Sequence, residues 1–487
     1  MNKTFILIST LFIALSTTAL HAGQTGKKGG VPVNPELLDS GKKLYAKLCA
    51  ECHHEERYGL VGPPLLPEYF GRKKDEQITT VILEGLPATN MPPFKDKLSE
   101  KEAKALVTYI RSPIENPVWG VEQMRDTWQI SYFGLDEKKA KFDMSNFFMI
   151  VEGGKGTVHF MDGDSFQLLG AVQVGAIHGG PKFGRKLRYA FAVSRGGWIV
   201  KYDLIDFREV GRIRGGISTR NIAVSSDNNY VAQVNLLPRN IVFIDAFTMK
   251  PKEIVDPGAT PGAVYNLKSK GIFVVSLKDK AEMLVINEKT LKIKRIKIDQ
   301  PFTDFFIDPL EKYLIGTSRG SDHFSVIDIE KSKVVKKVKS LGGMPHLASA
   351  AVWRDSKGTF AAFPHIGKPE ISLIEMYSWK IKGKVKTKGA GFFARTHDNI
   401  RQIWADTGTD TIQIIDKDSL KVVKEIVPQK GKRAMHIEFN KEGSRALVSV
   451  WEDDGEVVIY DTKSYEIVKR MSFKKPVGKY NATNKRF

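Results

Sequence analysis

Two hydrophobic periods divide this chain. Before residue 147, apolar positions recur at helical spacing. After it, they alternate in short runs broken by Gly, Asn and Asp. In the N-terminal region, "NPELLDSGKKLYAKLC" puts Leu44, Tyr45 and Leu48 on one helical face. "LSEKEAKALVTYIRSP" predicts a second helix. Ser99 and Glu102 form a capping box ahead of an apolar stripe of Ala103, Leu106, Val107 and Ile110, and Pro113 stops it. A loop joins the two helices.

Beyond residue 147 a single phrase recurs: a short apolar strand ending in an acidic or amide residue, a turn, then a basic or β-branched strand. The marker residues are Asp162, Asp203, Asp245, Asn287, Asp328, Glu375, Asp416 and Asp461, spaced 41 to 47 residues apart. Eight copies at this period in an all-β chain predict an eight-bladed propeller of four-stranded blades. Each marker ends one strand and opens the next hairpin, a turn role that Asp and Asn favour. Because it repeats on every blade, the marker reads as a turn residue and not as a catalytic carboxylate.

The first 22 residues change the expected compartment. "MNK" is followed by the apolar run "TFILISTLFIALSTTAL" and by Ala22 as a small residue for cleavage, which reads as a secretory signal peptide. No later run is apolar enough to span a bilayer, so a soluble protein of the periplasm is expected. The 487 residues carry 75 Lys and Arg against 55 Asp and Glu, a net charge of +20. The lysines are spread over the whole chain. They read as a solvated basic surface that steers acidic partners, and not as a nucleic-acid interface.

Cys49 and Cys52 are the only cysteines, and His53 follows directly. Cys-x-x-Cys-His is the attachment signature for c-type haem. Two thiols one helical turn apart can each form a thioether to a haem vinyl group, and the adjacent imidazole then meets the iron as proximal ligand. A disulfide would explain neither His53 nor the export signal. In "GLPATNMPPF", Met91 is flanked by prolines and precedes the second helix. That is where small cytochromes c put a thioether ligand, so Met91 is the expected sixth ligand. His54 neighbours His53 and cannot reach the other haem face. The expected organisation is a signal peptide over 1–22, a small all-α cytochrome c domain over 23–116, a linker and lead-in over 117–146, and the all-β propeller over 147–487.

A propeller's ligand site lies on its axis, so histidines near blade starts that break the repeat are its candidates. His178 in "GAIHGGP", His346 in "GGMPHLAS", His365 in "AFPHIGK" and His436 in "RAMHIEF" occupy comparable junctions. Imidazole is a common ligand for iron. His159, His323 and His397 read as ordinary structural histidines.

A haem c domain followed by an eight-bladed propeller resembles the cytochrome cd1 family. The resemblance begins at "HGGPKFGRKLRYAFAVSRGGWIVKYDL", ends at "KKPVGKYNATNK" and covers essentially the whole mature chain. That family includes the haem d1 nitrite reductases and the dihydro-haem d1 dehydrogenases. The resemblance implies haem d1 on the axis with His178 as proximal iron ligand. It also implies Arg195, Arg220 and Arg239 near the tetrapyrrole carboxylates, since guanidinium binds carboxylate bidentately. His346 and His365 match the distal region. In the nitrite reductases two distal histidines protonate and hold the nitrite oxygen. In the dehydrogenases one distal histidine ligates the iron.

Of the two activities, the dehydrogenase is expected. "GGMPHLASAAVW" resembles its distal segment, and His436 with Tyr480 (Asn481 follows) resembles the pair of its pocket. The arm "GQTGKKGGVPVNPELLDS" has no tyrosine to reach over a second site. His365 keeps the second distal histidine that the alternative, an NO-forming nitrite reductase, would use. On the favoured reading the substrate is dihydro-haem d1, whose propionate is oxidised to an acrylate. His436 or Tyr480 would act as the base or position it, while His178 and His346 hold the iron. Electrons would leave through haem c to small periplasmic redox proteins. Other haem d1 assembly proteins, or a nitrite reductase, are further expected partners. A third reading, a haem d1 carrier without turnover, does not explain the attached haem c. The oligomeric state is left open.

Overall fold

The computed structural model describes residues 34–59, 62–70, 73–85, 91–114, 117–131, 142–177, 179–184, 187–339 and 343–485. The predicted signal peptide and His178 therefore lie outside the described residues. Two compact units are distinguished: Met1–Leu48 with Lys73–Ser112, and Cys49–Arg72 with Pro113–Phe487. Among the described residues no helix is long and apolar enough to cross a membrane.

The first unit is helical. Helix Pro35–Leu48 packs on helix Glu100–Arg111. Gly41 makes this close approach possible, since a Cβ there would overlap the Ala105 carbonyl. Tyr45 and Tyr109 pack at 5.2 Å between ring centroids. The predicted capping box is present: the Ser99 N–H donates to Glu102 Oε2 at 2.8 Å, and the Glu102 N–H donates to Ser99 Oγ at 3.3 Å. The whole predicted stripe of Ala103, Leu106, Val107 and Ile110 is buried. The predicted loop between the two helices contains a third, Asp75–Glu84. Its "TTVI" run is β-branched and argues locally for a strand. Its ends decide otherwise: Gln77 Oε1 accepts from the Lys74 N–H at 2.9 Å, Asp75 and Glu76 complement the helix N-terminus, and Ile78 and Ile82 are buried.

The second unit holds eight antiparallel sheets, each with four blade strands, as predicted. Blade two carries one extra outer strand, Gln129–Ile130. Blade one is composite. The last strand of the chain, Pro476–Asn481, becomes its innermost strand by pairing with Phe147–Glu152, with Tyr480 opposite Met149. This closure ties the end of the chain into the first blade.

Antiparallel order within a blade sorts the turns onto two faces. The connector arriving from the previous blade and the turn from second to third strand open on one face. The turns from first to second and from third to fourth strand open on the other. All eight markers end a third strand, so all lie on that second face. Asp203 accepts from the Ile205 and Asp206 N–H groups of the hairpin that follows it, at 2.8 and 3.1 Å, and Asp461 from those of Lys463 and Ser464, both at 2.9 Å.

Asn146 fastens the ring where it closes. It is fully buried. Its Oδ1 accepts from the Lys441 N–H of blade eight at 3.0 Å and from Asn481 Nδ2 of the closing strand at 3.1 Å, while its Nδ2 donates to Asp164 at 2.7 Å. Asn146→Ala should strand these partners and lower stability by about 3 kcal/mol, since each stranded buried group costs on the order of 1–3 kcal/mol. A thermal melt checks this, and an unchanged midpoint would show that closure does not depend on the side chain.

Candidate functional site

Two sets of residues carry the predicted chemistry. The first is the segment Cys49–Arg72. Cys49 and Cys52 are free thiols around the short helix Ala50–His53. Burial, with Cys52 adding, pushes the Cys49 thiol up to about 11, so it stays protonated and unreactive until engaged. His53 is buried, which pulls its pKa down, opposed by its contact with the Pro63 carbonyl. The ring is therefore neutral. Its Nδ1–H donates to the Pro63 oxygen at 2.7 Å, which directs the Nε2 lone pair outward. This is how metal-bound imidazoles are oriented by their second nitrogen. Gly62 must be glycine because a Cβ would overlap the His53 ring. Two free thiols and a neutral, anchored imidazole fit a covalently attached haem. Met91, half-buried and followed by Pro92 and Pro93, belongs to the other compact unit.

The second set lies on the propeller face opposite the markers. His346 ends the connector into blade six. Its Nδ1 is held by the Phe392 carbonyl at 2.6 Å and by Ser349 Oγ at 2.7 Å, and its backbone N–H donates to the Pro364 oxygen at 2.8 Å. The ring is anchored as His53 is, with Nε2 directed away from its anchor. Phe392 is itself fixed: the buried Asp406 accepts from the Phe392 and Phe393 N–H groups at 2.8 and 2.9 Å. Burial raises Asp406 to about 6 against these hydrogen bonds. Asp304 adjoins His346 by accepting from the Ala348 N–H at 3.3 Å. Burial raises its pKa, while His346 and Arg220 pull it down.

His365 is the second-to-third-strand turn residue of blade six. Its ring is fully buried, and Nε2 meets Ser372 Oγ at 2.8 Å. The equivalent turns of blades two, four and five carry Arg195, Lys278 and Arg319, and Arg239 opens the third strand of blade three. Burial brings Lys278 down to about 8, and the charges of Arg220, Arg319 and Arg195 push the same way. Four cations thus share one region, a fit for a ligand with several carboxylates. Arg220, on the inner strand Ser218–Val224, is deeply placed: burial lowers its pKa, and Tyr265 and Asp304 oppose the shift.

His436 and Tyr480 come from the inner strands of blades eight and one. Their rings meet edge-on at 5.4 Å. His436 sits at a bulge with φ of 52°, and Phe393 packs on it at 4.8 Å. Lys479, fully buried, supports that backbone by donating from Nζ to the His436 carbonyl and, at 2.6 Å, to Ser449 Oγ. Burial lowers the Lys479 pKa well below its usual value, with Glu438 and Asp406 opposing. Tyr480 fits only because Gly180 and Gly478 lack side chains, since a Cβ on either would overlap its ring. Gly180, the last residue of the "HGG" phrase, therefore lies against Tyr480.

Sequence reasoning missed Lys278, Arg319, Asp304, Asp406 and Lys479. The first two carried a signal in retrospect, a basic residue at the second-to-third-strand turn of successive blades. The other three carried none. A cavity of about 1400 Å³ opens elsewhere in this unit, lined by inner-strand Tyr265, Arg395 and Glu438 and by marker-face turns at Asp308 and Asp355. None of His346, His436 or Tyr480 lines it, so the site is assigned by side-chain placement and not by cavity size.

A family model described as the cytochrome D1 heme domain matches residues 142–485, and one described as cytochrome C oxidase, cbb3-type, subunit III matches residues 36–110. The dihydro-heme d1 dehydrogenase of Pseudomonas aeruginosa is 38% identical over 465 residues, covering 91% of this chain and 94% of that protein. The nitrite reductase of Stutzerimonas stutzeri is 22% identical over 556 residues, covering 98% of each. A solved structure of dihydro-heme d1 dehydrogenase NirN in complex with DHE superposes with a TM-score of 0.89 at 36% identity, covering 92% of this chain and 100% of that one.

Two outcomes follow from the geometry. Cys52→Ser should lose covalently attached haem, read as missing mass in the purified protein; full attachment would remove Cys52 from the assignment. Asp406, raised from 3.8 to about 6, stabilises fully below the lower value, and that contribution is lost as pH rises through the upper one. Asp406→Asn cannot ionise. Between pH ~4 and ~7 its stability relative to wild type should therefore improve by about 2 kcal/mol. Denaturation at the two pH values measures this, and a constant difference contradicts it.

Proposed function

The chain belongs to the cytochrome D1 heme domain family, and from that premise we propose that it is a dihydro-haem d1 dehydrogenase. It would oxidise the propionate of dihydro-haem d1 to the acrylate of haem d1. Two C–H bonds break, one C=C bond forms, and two protons and two electrons leave. Haem c would be attached at Cys49 and Cys52 and held by His53 and Met91, and would supply a one-electron exit.

The observation that carries this reading is the His436–Tyr480 pair, brought into ring contact across the blade closure. A dehydrogenation at the ring edge needs a base there and does not need a second acid over the iron. Burial holds Tyr480 up at about 12, with Glu438 adding and Arg395 opposing. It is a phenol at neutral pH, suited to orient a carboxylate or propionate by hydrogen bonding. His436 is then the group that takes the proton. His346, with Nδ1 anchored, offers Nε2 to the substrate iron from one side, and His178 is assigned the other. Arg195, Arg220, Arg239, Lys278 and Arg319 hold the carboxylates. His365, buried with Nε2 on Ser372, is placed as a packed ring, which weighs against the nitrite reductase alternative.

The leader and the haem c motif support an exported, periplasmic protein that takes part in making haem d1 for denitrification. The net charge of +20 suits small acidic redox proteins as electron acceptors.

Purified protein should be given two substrates: dihydro-haem d1 with an electron acceptor, and nitrite with a donor after loading with finished haem d1. Oxidation of the dihydro form is expected. Sustained nitric oxide production without that oxidation would replace this reading with the reductase. His436→Ala should slow the conversion roughly 10²–10⁴-fold, the range for a lost proton-transfer group, and leave binding intact. Tyr480→Phe should slow it less, and His365→Ala should matter least.

A further inference from the structure

Arg214 ends the outer strand of blade two, Arg208–Arg214, away from the substrate face's inner strands. An arginine there would ordinarily be a solvated surface charge. It is instead 6% exposed, with every guanidinium nitrogen donating to a backbone carbonyl. Nε donates to the Gly196 oxygen at 2.9 Å, Nη1 to the Gly59 oxygen at 3.1 Å, and Nη2 to the Tyr58 oxygen. The guanidinium lies over the Trp119 ring at 4.9 Å from its centroid, and the Trp119 indole N–H donates back to the Arg214 carbonyl at 2.9 Å. The Arg214 N–H donates to Thr127 Oγ1 at 2.9 Å. The fork thus serves to hold backbone in place.

The carbonyls it gathers belong to two functional loops. Tyr58 and Gly59 closely follow the haem c motif, and the Gly59 N–H donates to the His53 carbonyl at 2.9 Å. Gly196 is the neighbour of Arg195. The Arg195 N–H donates to the Ala176 carbonyl at 2.6 Å, two residues before His178, and the Arg195 carbonyl accepts from the Thr219 N–H at 3.0 Å, beside Arg220. A series of hydrogen bonds and short backbone steps therefore runs from the proximal histidine of haem c, through Arg214, to the turn that faces the substrate carboxylates. Leu66 reinforces the join by burying itself fully against Ile217 and Leu237.

We propose that Arg214 is a positioning residue for electron transfer: it fixes the haem c attachment segment against the Arg195 turn, and so sets the separation and orientation across which each electron leaves the substrate. This rests on the dehydrogenase reading. The two electrons released with the two propionate protons pass singly to haem c and on to a one-electron acceptor, and Arg214 touches neither haem nor substrate. Guanidinium is required because one group must bridge three carbonyls in a plane, which an ammonium cannot do.

The test uses the full mature chain with haem c attached. Arg214→Gln and Arg214→Lys are mixed anaerobically with dihydro-haem d1, and haem c reduction is followed by its absorption. Reduction by the substrate should slow several-fold in Arg214→Gln, because the rate of electron tunnelling falls exponentially with the separation that Arg214 sets. Arg214→Lys should be intermediate. The comparison is made at saturating substrate, and reduction of haem c by a small-molecule reductant should not change. Amide hydrogen exchange in the substrate-free protein should rise together around Tyr58 and Gly59 and over Ser194–Gly197. Unchanged substrate-driven reduction in Arg214→Gln overturns the proposal, as does slowing that the small-molecule reductant shares equally. If wild type itself fails to reduce its haem c with dihydro-haem d1, the dehydrogenase reading fails, and the exchange measurement alone then decides whether Arg214 ties the two loops. Should Arg214→Gln not fold, Arg214→Lys and its exchange data support or overturn the proposal by the same criteria.

Discussion

The pairing of the last strand with the first blade is the constraint on which the rest of this protein depends. Pro476–Asn481 must enter the ring in one register, because a shift of one residue would turn each of its side chains to the opposite face. In the observed register Tyr480 stands opposite Met149 and meets His436 across the junction between blades eight and one. Closure and the proposed proton-transfer pair therefore use the same strand. The segment that completes blade one also carries the phenol, and the lysine before it donates to the carbonyl of the His436 bulge. A sequence free to optimise closure alone would place apolar residues at 479 and 480. It buries an amine and a phenol there instead, which is what the proposed function asks of these two positions.

The functional residues concentrate where local rules are broken. His436 takes a positive φ inside a strand, and Lys479 and Asp406 are buried ionisable groups. Asp406 accepts from the Phe392 and Phe393 N–H groups, and Lys479 donates to the His436 carbonyl and to Ser449 Oγ. Strain of the kind seen at His436 persists only where the surroundings fix it, here the ring of packed blades. The cations behave in the same way. Lys278 sits among Arg195, Arg220 and Arg319, so the pocket holds like charges in a partly dry place before any anion arrives. That repulsion is relieved when carboxylates enter, which converts an unfavourable arrangement into affinity for an anionic ligand.

Much of this was legible in the sequence because it is periodic. The eight markers indicated the blade count and the turn role, and both hold: Asp203 and Asp461 accept hydrogen bonds from the hairpins that follow them. Ser99, Glu102 and the stripe ending at Ile110 indicated a helix with its cap. The helix Asp75–Glu84 was not legible, because "TTVI" carries strand propensity and the deciding contacts are at its ends. Asp406 was invisible for a different reason. It closes a strand and precedes Thr407 and Gly408, so it looks like one more turn carboxylate, and only the fold shows that it holds the carbonyl segment behind His346. Arg214 reads as a charge in an alternating outer strand. Its partners at Tyr58 and Gly59 lie 156 and 155 residues away in sequence, and no local pattern encodes a contact of that range.

The same symmetry explains why one face diverged and the other did not. Hairpin turns on the marker face do one job eight times, so the residue that best caps a turn recurs. On the other face a single ligand meets eight unequal neighbours. Blades two, four and five present Arg195, Lys278 and Arg319 at equivalent turns, Arg239 opens the third strand of blade three, and blade six presents His365. At these turns positive charge is therefore gathered on one side of the ring, while His436 and Tyr480 occupy the junction of blades eight and one. Under the proposed function this asymmetry orients the tetrapyrrole. Its other carboxylates are drawn toward blades two to five, and the propionate that loses hydrogen is left against the His436–Tyr480 pair. The site need not recognise a saturated side chain directly, because holding the rest of the ring in one rotation presents that side chain to the base.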